Sequence, residues 1–452
     1  METKINYTDA FVETLYSFAT RPIPEEIRLE ARKCLLEGRG CLLGGVPAMR
    51  DRIDKYLDFQ PACPDGATVI GHNRRASLQN AALCNALSNH VLEMDDGHRF
   101  STVHLSATTI PALLAVGEYY KLTMEDLIRG LVVGYETSIR MGRCVQPAHR
   151  ARGFHSSGTV GTLGAAMAVA AALKFSREEM KCALSAAATC AAGLNEMMQD
   201  VSTMKPFNPA RACHDGVTCA LIGRSCFIPP HDTISGTFSF LLAMCEKSDP
   251  SGLTLEGDPK YNITGGYHKV HAACRHTHAP VDGALGAAKK AGLSAADVDH
   301  VLVEMYGQGI KGHDSTEIRT PGEGKMSVPF CVGLALVRGS SGVSDFTGEN
   351  VADPEIQRLC KATEVREDPE MSAMVPKRRP ARVTLFTKTG EQVVQDVPFA
   401  RGEPENPVTL SDYVAKFIDL STFGGKTKEE AEKLSDFILN HNGTVGELIA
   451  AL

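Results

Sequence analysis

Histidine, aspartate and basic side chains recur in three polar segments of this chain, and these residue types move protons and hold carboxylates. The first segment, residues 93–113, places Asp95 and Asp96 ahead of His98 and His104. A carboxylate beside an imidazole can orient the ring and set its basicity, so the pattern indicates acid–base chemistry. The same residues would also suit the end of one helix and the capped start of the next, which is the structural alternative.

The second segment, RGFHSSGTVGTLGAA, places His155 just before a glycine-rich helix start. Backbone N–H groups at such a helix start favour anions. The segment lacks the GK[ST] ending of a P-loop and the GxGxxG pattern of dinucleotide-binding proteins. We therefore expect it to hold a small acidic ligand and not a nucleotide.

The third segment, HKVHAACRHTHAPVD at residues 268–282, allows two interpretations. Its histidines and Cys274 could bind a metal ion, but their spacing matches no familiar zinc pattern. The interpretation that we prefer is a loop whose Lys269, Arg275 and His278 face a substrate. This loop would lie just ahead of a helix that has Pro280 near its first turn.

Four windows of the chain, three of which overlap these segments, contain no acidic residue. The longest, residues 137–177, has no Asp or Glu, although 54 acids among 452 residues predict about five in a window of that size. The others are residues 97–117, 201–214 and 259–281. If the windows converge, they form a positive pocket for a small di- or tricarboxylate; chance clustering on separate surfaces is the alternative.

Charge and cysteine usage exclude several classes of protein. A net charge of −7 offers no basic stripe for nucleic acid. Residues 154–173 carry no formal charge but consist mainly of small side chains that suit helix packing, so no membrane segment is predicted.

The fourteen cysteines form no CxxC pair, which argues against a disulfide framework, zinc or an iron–sulfur cluster. The start METKINYTDAF lacks the apolar core of a signal peptide, so we expect a cytoplasmic protein with reduced cysteines.

Apolar periodicity predicts a mainly α fold with a smaller α+β domain. Recurrence near 3.6 residues indicates helices at 25–43, 77–92, 109–120, 124–142, 158–173 and 177–193. Alternation predicts a strand at 298–306 and a hairpin at 381–388 and 391–397, before helices return at 409–420, 427–438 and 444–451. We predict a helical domain of residues 1–265 plus 403–452, with an α+β lid domain of residues 266–402 inserted before the C-terminal helices.

Together, these segments resemble the MmgE/PrpD family. The resemblance is carried, in order, by the DD…H loop at 95–104, GFHSSGTVGTLGAA at 153–166, MKPFNPARACHDG at 204–216, KVHAACRHTHAPVD at 269–282 and GKMSVPFCVGLAL at 324–336. It implies a large helical domain with a smaller α+β lid. It also implies a homodimer that works without a metal or an organic cofactor.

Site residues follow from the resemblance position by position. It implies catalytic roles for Asp95 or Asp96, His104, His155 and Lys205. The substrate-binding residues that we predict are Lys269, Cys274, Arg275, His278, Glu93 and His98.

The family's shared step is movement of a proton at the carbon α to a carboxylate. A neutral imidazole can act as the base near pH 7, and either His104 or His155 could take that role with the other as acid. We predict a dehydratase of a small di- or tricarboxylic acid that resembles 2-methylcitrate dehydratase.

Three alternatives to the dehydratase stay open. A dicarboxylate epimerase that resembles iminodisuccinate epimerase would return the proton to the opposite face. A cis-aconitate decarboxylase is less favoured, because Gly97 and Phe330 stand where decarboxylase-like members have threonine and tyrosine. A noncatalytic helical binding protein is the last alternative.

Overall fold

The computed structural model describes residues 5–198, 202–225 and 227–452. The chain divides into two compact units. The first, called here the helical unit, comprises Met1–Val91, Asp95–Gly266 and Leu410–Leu452. The second, the α+β unit, comprises Leu92–Met94 and Tyr267–Thr409.

The helical unit contains most of the helices in the chain and a two-stranded antiparallel hairpin. Its N-terminal part consists of α1 Tyr7–Thr20, α2 Glu25–Asp58, β1 Ala67–Val69, β2 Arg74–Ala76, α3 Leu78–His90, α4 Leu105–Tyr119, α5 Met124–Val145, α6 Ala148–Ala151, α7 Ser156–Ala172, α8 Arg177–Cys190, α9 Phe207–Gly223 and α10 Phe240–Met244.

The α+β unit follows, and three helices that belong to the helical unit end the chain. The α+β unit contains α11 His278–Ala291, β3 Val298–Met305, α12 Gly307–Ile310, α13 Pro321–Gly324, α14 Val328–Arg338, α15 Gly348–Ala352, α16 Pro354–Lys361, β4 Thr363–Glu367, α17 Pro369–Met374, β5 Ala381–Thr387 and β6 Gln392–Val397. The closing helices are α18 Leu410–Phe423, α19 Lys428–Asn440 and α20 Val445–Ala450. The mainly α fold class is confirmed.

The sequences TMEDL at residues 123–127 and SREEM at residues 176–180 place a threonine or serine three residues ahead of an acid, which predicts a capping box at each helix start. The structure has both boxes. At α5, the Thr123 hydroxyl accepts from the Asp126 N–H, and the Asp126 carboxylate accepts from the Thr123 N–H. Ser176 and Glu179 make the same exchange at the start of α8. Each box satisfies two backbone or side-chain donors that a helix start would otherwise leave unpaired.

The four-stranded sheet of the α+β unit has the order β4-β3-β5-β6. β3 runs parallel to β4, with Val303 opposite Val365, and antiparallel to β5. The hairpin of β5 and β6 matches the predicted one within about a residue at each end. Apolar side chains of α11 and α14, such as Ala284 and Val332, share one core with those of the central strands. α11 is thereby fixed against the sheet, and its N-terminal end carries the CRHTH segment.

Helix α7 is buried along its whole length, which is why its side chains are small. Every residue from Ser156 to Ala172 is buried. The neighbouring helices approach it closely: a Cβ added at Gly216 of α9 would lie 2.4 Å from the Cβ of Ala165 and 3.0 Å from the backbone nitrogen of Ala166. This packing fixes the N-terminus of α7, which His155 precedes.

Among the described residues, no helix combines the length and the apolar character that crossing a membrane would require.

The close approach of α9 to α7 predicts the effect of a Gly216→Ala substitution. The new methyl group collides with backbone and Cβ atoms that cannot rotate away, so the two helices must move apart. We expect the free energy of unfolding to fall by about 1–2 kcal/mol, since overpacking outweighs the gain in helix propensity. Urea unfolding measures it.

Gly446→Ala in α20 is the matched control, because the nearest atom to its added Cβ is 3.9 Å away. The control should be as stable as the unmodified chain or slightly more stable. A Gly216→Ala variant as stable as the control would contradict this account of the packing.

Candidate active site

One carboxylate and two imidazoles meet where the chain passes from α3 to α4. His90 is the last residue of α3, and His104 is the residue that precedes α4. Asp95 Oδ2 lies 2.8 Å from His90 Nδ1 and 3.1 Å from His104 Nδ1. The two rings meet edge to face with their centroids 4.5 Å apart. We call these three residues the His–Asp–His cluster.

Burial and charge together fix the ionisation of Asp95. Its side chain and that of His90 are fully buried, whereas the side chain of His104 is 14% exposed. Burial acts to raise the pKa of Asp95, but the imidazoles of His90 and His104 outweigh it and hold this pKa well below its usual range. The carboxylate is therefore charged at neutral pH. It forms a hydrogen bond with His90 Nδ1, whereas His104 Nδ1 lies within ion-pair distance of it without the geometry of a hydrogen bond. A neutral His104 with its proton on Nδ1 keeps Nε2 as a proton acceptor.

His155 lies at the start of α7, beside the His–Asp–His cluster. Its ring centroid is 6.3 Å from that of His104. The amide nitrogen of Asn208 donates to His155 Nδ1 at 2.9 Å and also to the Leu194 carbonyl, which fixes the orientation of the amide. Because Nδ1 accepts, the proton of the neutral ring is on Nε2. The negative charge of Asp95, 3.1 Å from His104 Nδ1, favours the opposite tautomer in His104.

The environment of His155 keeps its ring neutral. Burial is the largest cause that lowers its pKa well below the usual value; repulsion from His104, when that ring is protonated, and from the Lys205 ammonium lowers it further. Lys205 itself is half-buried just before α9, and its carbonyl accepts the N–H of Asn208. The segment that carries Lys205 thus also positions the amide that holds His155.

Polar side chains lock the two histidine-bearing segments together. Ser157 Oγ accepts the backbone N–H of His104 at 3.0 Å. The hydroxyls of Thr102 and Ser156 are 3.0 Å apart, and the Gln146 amide donates to both. The relative position of His104 and His155 is therefore set by hydrogen bonds and not by ring packing alone.

The other residues predicted in the first segment have local structural partners. Asp96 accepts from the Ser106 N–H at 2.8 Å and from the Tyr135 hydroxyl at 2.9 Å, so it fixes the first turn of α4. His98 Nδ1 accepts the Ser101 N–H, which closes a tight loop. Asp95 is thus the aspartate that contacts the imidazoles. Asp96 instead binds the start of the next helix, which is the capping role that the sequence analysis gave as an alternative.

The third segment lies in the α+β unit and has partners within that unit. Lys269 Nζ donates to the Glu93 carbonyl at 2.8 Å and lies 3.3 Å from its carboxylate. Arg275 donates through Nε and Nη2 to one carboxylate oxygen of Glu403. Arg275 Nη1 also lies 2.9 Å from His278 Nδ1.

Burial is the largest cause that lowers the pKa of His278 well below its usual value, and the charge of Arg275 lowers it further. That Arg275 and His278 face a substrate stays a prediction. Both side chains are buried, and their described partners hold the third segment in place. Substrate binding by Lys269, Cys274, Glu93 and His98 stays a prediction.

Family models match nearly the whole chain. The model described as the MmgE/PrpD N-terminal domain matches residues 9–253, and the one described as the MmgE/PrpD C-terminal domain matches residues 271–440. The chain belongs to the MmgE/PrpD family.

Two relatives illustrate how far the similarity extends. A cis-aconitate decarboxylase of Aspergillus terreus is 22% identical over 450 residues, which cover 94% of this chain and 90% of the relative. A cis-aconitate decarboxylase-like protein, oryM, of Aspergillus oryzae is 27% identical over 278 residues. That match covers 58% of this chain and only 57% of the relative's own length.

Two residues of this candidate site were not predicted from the sequence. His90 ends a helix with an otherwise apolar face, so its pattern is that of a core residue; its only signal is its position five residues before Asp95. Asn208 lies within MKPFNPARACHDG, where the basic residues attract more attention than an amide does. Only the contacts in the folded chain identify both as site residues. Asn208 and His155, for example, are 53 positions apart in the sequence.

The His–Asp–His cluster also offers three ligand atoms within 4.8 Å of one another. Two imidazole nitrogens and one carboxylate oxygen could hold a divalent cation such as Zn²⁺. The separations of 2.8 and 3.1 Å equally suit hydrogen bonds from Nδ1–H groups to a charged carboxylate.

Buried neutral His155 predicts a specific dependence of stability on pH. Its pKa is about 6.5 in the unfolded chain and well below that in the folded chain, so the unfolded chain takes up this proton first as the pH falls. The stabilisation is therefore present above about pH 6.5 and is lost progressively below it. Between pH 7 and pH 5, protonation of His155 in the unfolded chain should remove up to about 2 kcal/mol from the unfolding free energy of the unmodified protein. A His155→Gln variant should not show this part of the loss.

His300→Gln is the matched control, because that side chain is half-exposed on β3. Urea unfolding at both pH values should give the control the same pH dependence as the unmodified chain. An unchanged pH dependence in His155→Gln would show that His155 is not held neutral.

Proposed function

We propose that this chain is a lyase of the MmgE/PrpD type, a dehydratase of a small di- or tricarboxylic acid. It would remove a proton α to a carboxylate and expel a hydroxyl group from the β carbon. The observation that carries the proposal is the pair of neighbouring imidazoles with different surroundings: Nδ1 of His104 faces a charged carboxylate, and Nδ1 of His155 accepts from an amide. We infer that the first ring accepts a proton and that the second donates a hydrogen bond. The names of the relatives support an acid of the carboxylate class as substrate.

His104 is the base in this mechanism. Its Nδ1 faces the charged Asp95, which leaves Nε2 to take the proton from carbon. Asp95 then stabilises the imidazolium that forms, as a buried carboxylate does for any imidazole that must become charged. The 14% exposure of the His104 side chain agrees with a group that a substrate must reach.

His155 and Lys205 act on the departing hydroxyl and on the developing charge. The Nε2–H of His155 donates a hydrogen bond to the hydroxyl as its bond to carbon breaks. Lys205 carries the ammonium charge on this side of His155, and we assign to it the proton that turns the leaving hydroxide into water. A fixed positive charge also stabilises the enolate-like carboxylate that proton removal creates.

His90 has a positioning role, because it shares the carboxylate oxygen that His104 uses. Its hydrogen bond limits rotation of the Asp95 side chain and adds positive potential beside the carboxylate. A base must be within hydrogen-bond reach of the proton that it removes, so small shifts of Asp95 would translate into lost rate.

The second candidate function is decarboxylation, which the cis-aconitate decarboxylase relatives favour. There the bond between carbon and a carboxylate breaks, carbon dioxide leaves, and a protonated histidine gives its proton to the carbon. An epimerase would use the same two rings to return the proton to the opposite face. The dehydratase and the epimerase both begin with proton removal by a base, whereas the decarboxylase begins with the loss of carbon dioxide and needs an acid.

A product analysis of di- and tricarboxylic acids in deuterium oxide separates these reactions. The dehydratase produces an alkene and releases no carbon dioxide, whereas the decarboxylase releases one carbon dioxide per turnover. The epimerase returns inverted substrate that carries deuterium at the α carbon. Alkene formation without gas is the expected result, and inverted substrate without alkene would exclude the dehydratase.

Variants of the His–Asp–His cluster should separate chemistry from positioning. His104→Gln should lower kcat by about 10²–10⁴-fold, the usual contribution of a general base. His90→Gln should lower kcat by about tenfold with KM unchanged, since it removes one hydrogen bond to a charged group of about 1.4 kcal/mol or more.

The exposed His300→Gln variant should have the kcat of the unmodified chain. It controls for losses of activity that arise from expressing and purifying a variant. Steady-state kinetics on the substrate found in the product analysis gives these values. Unchanged kcat in His104→Gln would refute the assignment of the base. Equal losses in both variants would mean that His90 is more than a positioning residue.

A further inference from the structure

Cys274 differs in its surroundings from the other cysteines that the structure describes. Ten of the thirteen described cysteines are buried, and burial raises, for example, the pKa of Cys84 to about 12. Cys190 is exposed, and Cys63 and Cys274 are half-buried. Within this set, Cys274 is the cysteine whose sulfur contacts an imidazole nitrogen, His313 Nε2, at 3.2 Å.

The orientation of His313 suits proton transfer from this thiol. His313 Nδ1 lies 3.1 Å from the carbonyl oxygen of Lys311, and only a protonated Nδ1 can form that hydrogen bond. The neutral ring therefore has its lone pair on Nε2, the nitrogen that faces the sulfur. A nucleophile, a base and a group that orients the base are thus arranged in sequence, as in activated cysteines generally.

The backbone adds a second favourable element. Cys274 is the residue that precedes the turn Arg275–Thr277, and this turn continues directly into α11. The partial positive charge at the start of a helix stabilises a thiolate. The N–H of Cys274 donates to the Lys325 carbonyl and its own carbonyl accepts the N–H of Thr277, so the backbone that carries the sulfur has a fixed position.

We propose that Cys274 and His313 form a reactive thiol–imidazole pair and that Cys274 is a site of covalent modification by electrophiles and hydroperoxides. The imidazole takes the thiol proton, and the sulfur attacks the electrophile. With an alkyl halide, a sulfur–carbon bond forms, the carbon–halogen bond breaks, and the halide leaves with the electron pair. With a hydroperoxide, the sulfur takes the outer oxygen and becomes a sulfenic acid, while the remaining alkoxide leaves as an alcohol with the proton from His313.

The test measures the alkylation rate of each cysteine in the folded protein with iodoacetamide at neutral pH, by peptide mass spectrometry. Cys190 is the internal comparison, because it is more exposed than Cys274 and none of its described contacts is with an imidazole. Exposure alone predicts that Cys190 reacts faster. The proposal predicts that Cys274 reacts at least about tenfold faster than Cys190.

A His313→Ala variant tests whether the imidazole is the cause. Alkylation of Cys274 should slow by about tenfold, the rate at Cys190 should stay unchanged, and added imidazole should restore part of the loss. With hydrogen peroxide, a dimedone-type probe should label Cys274 in the unmodified chain and label it far less in His313→Ala. Faster reaction at Cys190 than at Cys274, or an unchanged Cys274 rate in His313→Ala, would overturn the proposal.

Discussion

The interaction on which the site depends is the contact between the buried carboxylate of Asp95 and two imidazoles. A carboxylate with no exposed surface is costly to keep charged unless donors surround it. His90 supplies a hydrogen bond and His104 lies 3.1 Å away, and in return the negative charge of the carboxylate favours a proton on Nδ1 of each ring. His104 can serve as a base because its other nitrogen is left as the acceptor. The contact with the imidazoles thus both offsets the cost of burying the Asp95 carboxylate and prepares His104 to act as a base.

The helices that carry this cluster are held by close packing of small side chains. Helix α7 can be surrounded on all sides only because glycine, alanine and serine let its neighbours approach to backbone distance. The same approach brings Asn208 of α9 to the ring of His155. Gln146, Ser156 and Ser157 then connect the start of α7 to the segment before α4. A polar site built on rigid, dry packing keeps the two rings in a constant relation.

Local signals in the sequence predicted the local parts of this structure. The caps at Thr123 and Ser176, the helical periodicities and the β5–β6 hairpin each depend on residues that are near in sequence. Strand β4 went unpredicted, since its residues 363–367 alternate weakly and are stabilised by pairing with β3, about sixty positions earlier.

Site geometry was harder to predict for the same reason. The residue types at Asp95, His104 and His155 indicate acid–base chemistry. They do not show which of the two aspartates contacts the rings. Asp96 does not, because its carboxylate accepts from Ser106 and Tyr135. Arg275 has a basic side chain in an acid-free window, yet its partner Glu403 lies 128 positions away. A charge pattern read along the chain cannot reveal such a partner.

The most direct test of the central claim is the protonation of the histidine ring nitrogens, measured by nitrogen-15 NMR of the folded protein at neutral pH. For His104 the account predicts a protonated Nδ1 and an unprotonated Nε2; for His155 it predicts the reverse. Asp95→Asn should abolish the preference at His104 and leave that at His155 intact. A proton on Nε2 of neutral His104, or the same tautomer in both rings, would contradict the account.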